Sequence, residues 1–179
     1  EYTKKYGIKY FSNFNEMLTK IKDIDIVAII TPSGMHYEHA IDTLKKYKKH
    51  LIIEKPVFLK PSHVKKVYSL AKKNNCQIFP VFQNRYNKAV VRLKKAISNG
   101  ELGRIRITNV RLRWCRSDKY YRLSKWRGTF SHDGGALSNQ GIHHVDLLRY
   151  LAGEIKEIFV FMKTQGAKIE VEDTTVAAF

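Results

Sequence analysis

Asp25-Ile26-Val27-Ala28-Ile29-Ile30-Thr31-Pro32-Ser33-Gly34 runs from a carboxylate through an unbroken apolar stretch into a turn. Such a stretch is the pattern of a strand covered on both faces, and strands of that kind belong to parallel sheets. The spacing predicts a helix over 35–47 and a second buried strand at Leu51-Ile52-Ile53, ending in Glu54-Lys55-Pro56. Pro61 suits the first turn of a helix that reaches about residue 74, and 77–82 is expected as a third strand. Upstream, 2–5 is expected as the tail of a helix and 8–11 as a short strand. Ser12 or Asn13 then caps a helix over 15–21. Strand, helix, strand, helix, strand is a doubly wound α/β unit. Ligands of such sheets bind beyond the carboxyl ends of the strands. Those ends are Thr31-Pro32-Ser33, Glu54-Lys55-Pro56 and Gln83-Asn84-Arg85, each polar or charged after an apolar strand.

After residue 83 the rhythm changes. A helix over 87–99 stops at Gly100 and Gly103, and 104–113 alternates apolar with charged residues, the pattern of a half-buried strand. An irregular aromatic and basic loop follows over 114–132. Next comes Asp133-Gly134-Gly135-Ala136-Leu137-Ser138-Asn139-Gln140-Gly141-Ile142-His143-His144-Val145-Asp146. Its two glycines open a turn, Ser138 or Asn139 caps a helix, and Gly153 stops it. On that helix Asn139, His143 and Asp146 share one face, an amide, an imidazole and a carboxylate in a column. Residues 155–163 and 174–179 read as strands. The expected architecture is α/β. A partial Rossmann, doubly wound parallel sheet over 1–83 precedes an α+β domain with an open, mainly antiparallel sheet over 84–179.

With 179 residues, 44% of them hydrophobic, the chain can bury a core in one or two globular domains. No run of apolar residues is long enough for a membrane span. The 33 Lys and Arg against 16 Asp and Glu leave a net charge of +17. The lysines are spread along helix faces rather than gathered with aromatics, which disfavours nucleic acid and suits an anionic small ligand. Cys76 and Cys115 lack a CxxC partner and read as buried, reduced thiols of a cytoplasmic protein, with no zinc site. No metal is expected. No GxGxxG turn is present, and the chain opens on Glu1 and closes on an apolar run, which reads as a fragment cut at both ends.

A lysine beside a developing alkoxide stabilises it. Glu54 can orient Lys55 or a ribose, and a cis Lys55-Pro56 bond would aim Lys55 into the cleft. An imidazole with an ordinary pKa of about 6.5 can act as a base at neutral pH. His143 is favoured over His144, which one helical step turns about 100° away.

Thr31-Pro32-Ser33 with His36, Glu54-Lys55-Pro56, and Gly141-Ile142-His143 followed by Asp146 resemble the motifs of the Gfo/Idh/MocA oxidoreductases, and the resemblance covers essentially the whole chain. It implies a Rossmann strand pair with the glycine fingerprint before Glu1, and the rest of an open sheet after Phe179. It implies NAD as cofactor, held by Thr31, Pro32, His36, Glu54, Lys55 and Gln83. It makes Lys55 the essential lysine and His143 the acid–base that takes the hydroxyl proton as hydride leaves the same carbon. Many members carry Asp at the position of Asn139, and an amide cannot take a proton, although it can hydrogen-bond substrate or orient His143. The family is often dimeric or tetrameric, so a homo-oligomer is expected.

A finer resemblance lies in Gln83-Asn84-Arg85-Tyr86-Asn87, Arg113-Trp114-Cys115-Arg116, Tyr120-Tyr121, Trp126-Arg127-Gly128-Thr129 and Asn139-Gln140 with His143-His144. These look like the subgroup that oxidises the 3-hydroxyl of UDP-N-acetyl-2-amino-2-deoxy-D-glucuronate. The 3-keto product serves bacterial surface polysaccharides, and in some members 2-oxoglutarate reoxidises the cofactor. The implied substrate contacts are Arg85, Asn87, Arg116, Tyr121, Trp126 and Arg127, with Asn139 and His143. The arginines offer forked donors to a diphosphate and a carboxylate, and the aromatic rings offer stacking faces. Arg85 is expected nearest the chemistry, because it directly follows a strand end. The alternatives are a UDP-GlcNAc 3-dehydrogenase, an inositol or simple-sugar dehydrogenase, and a non-catalytic nucleotide-binding module. A metal hydrolase using His143, His144 and Asp146 is disfavoured, since adjacent histidines leave a helix on different faces.

Overall fold

Three short strands joined by crossover helices occupy the first half of the chain. The structure is a computed structural model and describes residues 2–179. After α1 (Tyr2–Tyr6) and α2 (Phe14–Lys20) come β1 (Ile26–Ile29), α3 (His36–Asp42), β2 (His50–Ile53), α4 (Pro61–Lys73) and β3 (Ile78–Pro80). The strands pair in parallel in the order β1-β2-β3, with Val27 opposite Leu51 and Leu51 opposite Ile78. Asn13, not Ser12, caps α2: its Oδ1 accepts from the Asn15 N–H at 2.8 Å. Pro61 begins α4, as expected.

Val27, Ile29, Leu51 and Ile53 point to one face of the sheet. There they meet Leu18 of α2, Ala40 and Leu44 of α3 and its continuation, and Val67 and Ala71 of α4. Cover on both faces was the expectation, and it is corrected. All three helices lie on the same face, so Ile26, Ile52 and Phe79 remain 46%, 37% and 48% exposed. Ile53 is fully buried at the centre of this core. Ile53→Ala is expected to cost about 3 kcal/mol, because the surrounding side chains cannot close the space. A urea titration reads this as a lower midpoint with an unchanged slope.

The second half begins with a single 3₁₀ turn (Gln83–Tyr86) and α5 (Lys88–Ser98). The short α6 (Asp118–Arg122) interrupts what the sequence suggested as an irregular loop. A helix then starts at residue 135, widens through a π turn (Leu137–Gly141) and continues as α7 (Ile142–Ala152). β4 (Phe159–Lys163) and β5 (Thr174–Ala178) close the chain as an antiparallel pair, Phe161 opposite Val176.

Four sequence expectations fail here. Residues 8–11 and 104–113 form no strand: no backbone ladder reaches them from any described residue, and alternation alone cannot supply a pairing partner. Ser138 and Asn139 cap nothing, because the helix has already begun. Its first turn is instead capped from a distance by Glu172, whose carbonyl accepts from the Ala136 N–H at 3.0 Å and whose Oε1 accepts from the Leu137 N–H at 2.9 Å. A carboxylate there also meets the positive end of the helix dipole. It occupies the space a side chain at Gly135 would need, and Gly135 adopts φ 94°. Finally, Cys76 is buried as expected, but Cys115 is exposed. Among the described residues no helix is long and apolar enough to cross a membrane.

Candidate active site

The loops at the strand ends are pinned together from beneath. His36, 1% exposed, places Nδ1 2.9 Å from the Pro56 carbonyl and Nε2 2.8 Å from the Thr31 carbonyl. Its imidazole therefore lies between the loops after β1 and β2, with both ring nitrogens on backbone carbonyls. Thr31 Oγ1 meets His39 Nδ1 at 3.1 Å. At the end of β2 the Glu54 carboxylate accepts from the Lys55 N–H at 2.9 Å, and the Lys55-Pro56 bond is cis. Gln83 is exposed at the start of the 3₁₀ turn after β3.

The second half is laid over these ends by a close backbone approach. The Gly34 N–H donates to the His132 carbonyl at 3.2 Å. A methyl at Gly34 would run into the Ser131 carbonyl oxygen, so no larger residue fits there. The approach brings the π turn against β2's end. Lys55 Nζ donates to the Asn139 backbone carbonyl at 2.9 Å and to its side-chain Oδ1 at 3.4 Å. The two motifs that stand 84 residues apart in the sequence therefore meet.

The expected column of Asn139, His143 and Asp146 is only partly formed. The π turn is wider than an α turn and skews the register between Asn139 and His143. Asn139 is buried and faces Lys55 and Asp133. Asp146, with its side chain 8% exposed, faces the other way and is clasped by Arg85 through Nε at 2.8 Å and a short contact from Nη2. The Arg85 guanidinium also lies over the rings of Phe82 and Tyr150, at 5.5 and 4.9 Å. The expectation that Arg85 offers a free fork to substrate is corrected: the fork fastens the 3₁₀ turn to α7. Asn87 is likewise committed, its Oδ1 capping α5 through the Ala89 N–H at 3.1 Å. The hydrolase ligand set fails as well, since Asp146 turns to Arg85. Among the described residues no His, Cys, Asp and Glu group of three or more could hold a metal ion.

Electrostatics shift both Lys55 and His143 downward. Burial lowers the Lys55 amine from its ordinary value and Arg116 adds to this, while Glu54 and Asp133 oppose it. Burial also lowers His143, and the Lys55 charge pushes the same way. Glu54 and Asp146 oppose that shift, and His144 adds to it. His143 Nδ1 is buried and has no hydrogen-bond partner among the described residues.

The aromatic and basic loop folds into a stack. Arg116 lies over Trp114 at 3.8 Å and Tyr120 at 4.5 Å; Arg127 lies over Tyr120 at 4.2 Å and Trp126 at 4.7 Å. Tyr120 accepts from Arg127 Nη1 and, at 3.3 Å, from Gln140 Nε2. The Nε atoms of both arginines are buried without a partner among the described residues. A buried N–H of this kind is costly unless something accepts from it. Tyr121 is half-buried and packs beside Gly128. Arg116, Tyr120, Tyr121, Asp133 and Asn139 all line a cavity of about 640 Å³ between this loop, the start of the helix and residues 165–179. Reasoning from the sequence missed Asp133 and Glu172. Asp133 opens the quoted Asp-Gly-Gly turn and was available to notice, whereas Glu172 had no local signal.

A family model described as an oxidoreductase family with an NAD-binding Rossmann fold matches residues 1–82. A second, the GFO/IDH/MocA C-terminal domain, matches 90–179. Levoglucosan dehydrogenase of Pseudarthrobacter phenanthrenivorans is 31% identical over 166 residues, 92% of this chain and 42% of that protein. Myo-inositol 2-dehydrogenase of Thermotoga maritima is 27% identical over 89% of this chain and 46% of its own length. The crystal structure of the WlbA dehydrogenase from Bordetella pertussis, in complex with NADH and UDP-GlcNAcA, superposes with a TM-score of 0.92. It is 35% identical, and the match covers 98% of this chain and 50% of that one. The chain thus spans about half the length of the relatives it matches.

Proposed function

This chain belongs to the Gfo/Idh/MocA family of oxidoreductases, and on that footing we propose that it carries the reacting groups of an NAD-dependent sugar dehydrogenase. The substrate we assign is a UDP-N-acetyl-aminoglucuronate, oxidised at its 3-hydroxyl to the 3-keto sugar, with residues 1–83 as the dinucleotide half and 84–179 as the substrate half. The observation that carries the reading is the meeting of Lys55 with Asn139 at the π turn that leads into the His143 helix.

The polar groups at the strand ends suit the nicotinamide end of NAD. A hydroxyl (Thr31), a carboxylate (Glu54) and a carboxamide (Gln83) are groups that bond ribose hydroxyls and an amide. NAD, when bound, accepts the hydride from the carbon that bears the hydroxyl. The chain's own residues handle the proton and the charge. Neutral His143 takes the hydroxyl proton as the C–H electron pair departs and the C=O bond forms. The Lys55 ammonium stabilises the negative charge that develops on the oxygen, and Asn139 holds that ammonium in place. Arg116 and Arg127 supply buried, unpaired Nε–H groups to the anionic groups of the substrate.

A second reading, oxidation of a free sugar or inositol, is favoured by the levoglucosan and inositol relatives. One assay separates the two. The full-length enzyme with NAD is offered UDP-N-acetylglucosaminuronate, UDP-GlcNAc, levoglucosan or myo-inositol, with and without 2-oxoglutarate, and the near-ultraviolet absorbance of reduced nicotinamide is followed. The expected result is reduction with the UDP-uronate, and for Arg116→Ala a KM about tenfold or more higher with kcat little changed. Reduction only by a free sugar or inositol overturns the substrate assignment. Reduction by none overturns the dehydrogenase reading.

A further inference from the structure

Behind the contact between Lys55 and Asn139 lies a carboxylate the reaction does not itself require. Asp133 is 4% exposed and forms no salt bridge at hydrogen-bond distance among the described residues. Its Oδ2 accepts from the Gly128 N–H at 2.6 Å, and its Oδ1 accepts from Asn139 Nδ2 in a short contact. Its own N–H donates to the Thr129 carbonyl at 3.0 Å, so backbone bonds within 128–133 hold the carboxylate rigidly.

Asn139 therefore stands between two partners with opposite and exclusive roles. An ionised carboxylate only accepts, and an ammonium only donates. A carboxamide placed between them satisfies both in one orientation, with NH2 toward Asp133 and oxygen toward Lys55. The flipped orientation sets NH2 against an ammonium and oxygen against a carboxylate. We propose that Asp133 is a positioning residue for Lys55: its buried carboxylate locks the Asn139 carboxamide with its oxygen toward the lysine, and so fixes where the ammonium sits. The proposal rests on the reading of Lys55 as the amine that meets the reacting oxygen.

Electrostatics support the geometry. Asp133 is one of two carboxylates, with Glu54, that favour the charged form of Lys55, against burial and Arg116. His143 also lies within the reach of Lys55. In Asp133→Asn the side chain keeps its shape but has a single oxygen. If the Gly128 N–H holds that oxygen, the new NH2 faces Asn139, which must flip and present its own NH2 to Lys55. The variant thus removes a charge and reverses an amide, while Glu54, Arg116 and His143 stay as they are.

The test is the pH dependence of Lys55 acylation by acetic anhydride in the full-length enzyme, read peptide by peptide in a mass spectrometer. It needs no turnover. Only the neutral amine reacts, so a lower midpoint means a less favoured ammonium. Asp133→Asn is expected to lower the Lys55 midpoint by about half a pH unit or more, which is about threefold more reactive amine at a given pH below it. The alkaline limb of kcat should move to lower pH with it, with KM for NAD unchanged. An unchanged midpoint in a variant that melts cooperatively overturns the proposal. Should Asp133→Asn fail to fold, Asn139→Ala cuts the same link with the Gly128–Asp133 bond intact, and a midpoint that does not fall there overturns it equally. A wild-type enzyme that oxidises no sugar would remove the dehydrogenase reading, yet the labelling midpoint would still decide whether Asp133 governs Lys55.

Discussion

Lys55→Met is expected to lower kcat for the sugar by about 10²–10³-fold, one of the two largest effects expected of any single change in this chain. Methionine keeps the length of the stem and loses the charge, so the loss reports on the ammonium and not on packing. Lys55 Nζ has acceptors in the Asn139 carbonyl and Oδ1. It is held there before substrate arrives, and a preorganised charge at a developing alkoxide needs no reorganisation during the reaction. Lys55→Arg is not expected to rescue the enzyme, because a planar fork cannot occupy the place of a compact ammonium. In the wild type, burial lowers the amine from its ordinary 10.5. Loss of the proton removes the function, so the alkaline limb of kcat should lie below that value. Single-turnover reduction of NAD measures all of this. A Lys55→Met enzyme within tenfold of wild type would show that the ammonium is not a catalytic group.

His143→Asn is expected to lower kcat by about 10²–10⁴-fold, the usual contribution of a positioned base. The sign of the pH dependence follows from the role. A base must be neutral, so activity is present above the pKa of His143 and is lost as pH falls through it. Burial first, and then the Lys55 charge, place that pKa below the ordinary 6.5. The acid limb of kcat/KM should therefore lie below 6.5 in the wild type and be absent from the residual activity of His143→Asn. The two predictions are linked. Removing the Lys55 charge removes one of the influences that lower His143, so the acid limb of Lys55→Met should move up toward 6.5. An acid limb that stays in place in that variant would mean that the two groups do not face each other in the working enzyme.

The parts of this protein that could be read in advance are those built from near neighbours in the chain. The apolar run at 26–30 announced a strand of a parallel sheet, and β1 pairs in parallel with β2. Pro61 announced the start of α4. The residue types at the strand ends marked them as the expected place of a ligand. Motifs at Glu54-Lys55-Pro56 and Gly141-Ile142-His143 suggested that an amine and an imidazole would meet, and the Lys55–Asn139 contact brings their elements together.

The misreadings share one cause. Residues 104–113 alternate as a half-buried strand does, yet a strand exists only where a second backbone offers its donors and acceptors. Asn139 looked like a cap because asparagine before an apolar run usually is one. Glu172, 33 residues further on, supplies the cap, and Asn139 is left inside the π turn. Arg85 looked free because it follows a strand end, but Asp146 lies 61 residues away in sequence and 2.8 Å away in space.

Sequence alone determined the α/β class and the family motifs, and it named the strand ends and the side chains proposed here for the site. Apolar periodicity, turn residues and side-chain type act over a few neighbouring positions, so they survive in a one-dimensional record. Tertiary structure alone decided the partners: Asp146 for Arg85, Asp133 for Asn139, Asn139 for Lys55 and Glu172 for the helix. A hydrogen bond or ion pair depends on distances of about 3 Å, and those distances are set only when the whole chain has packed.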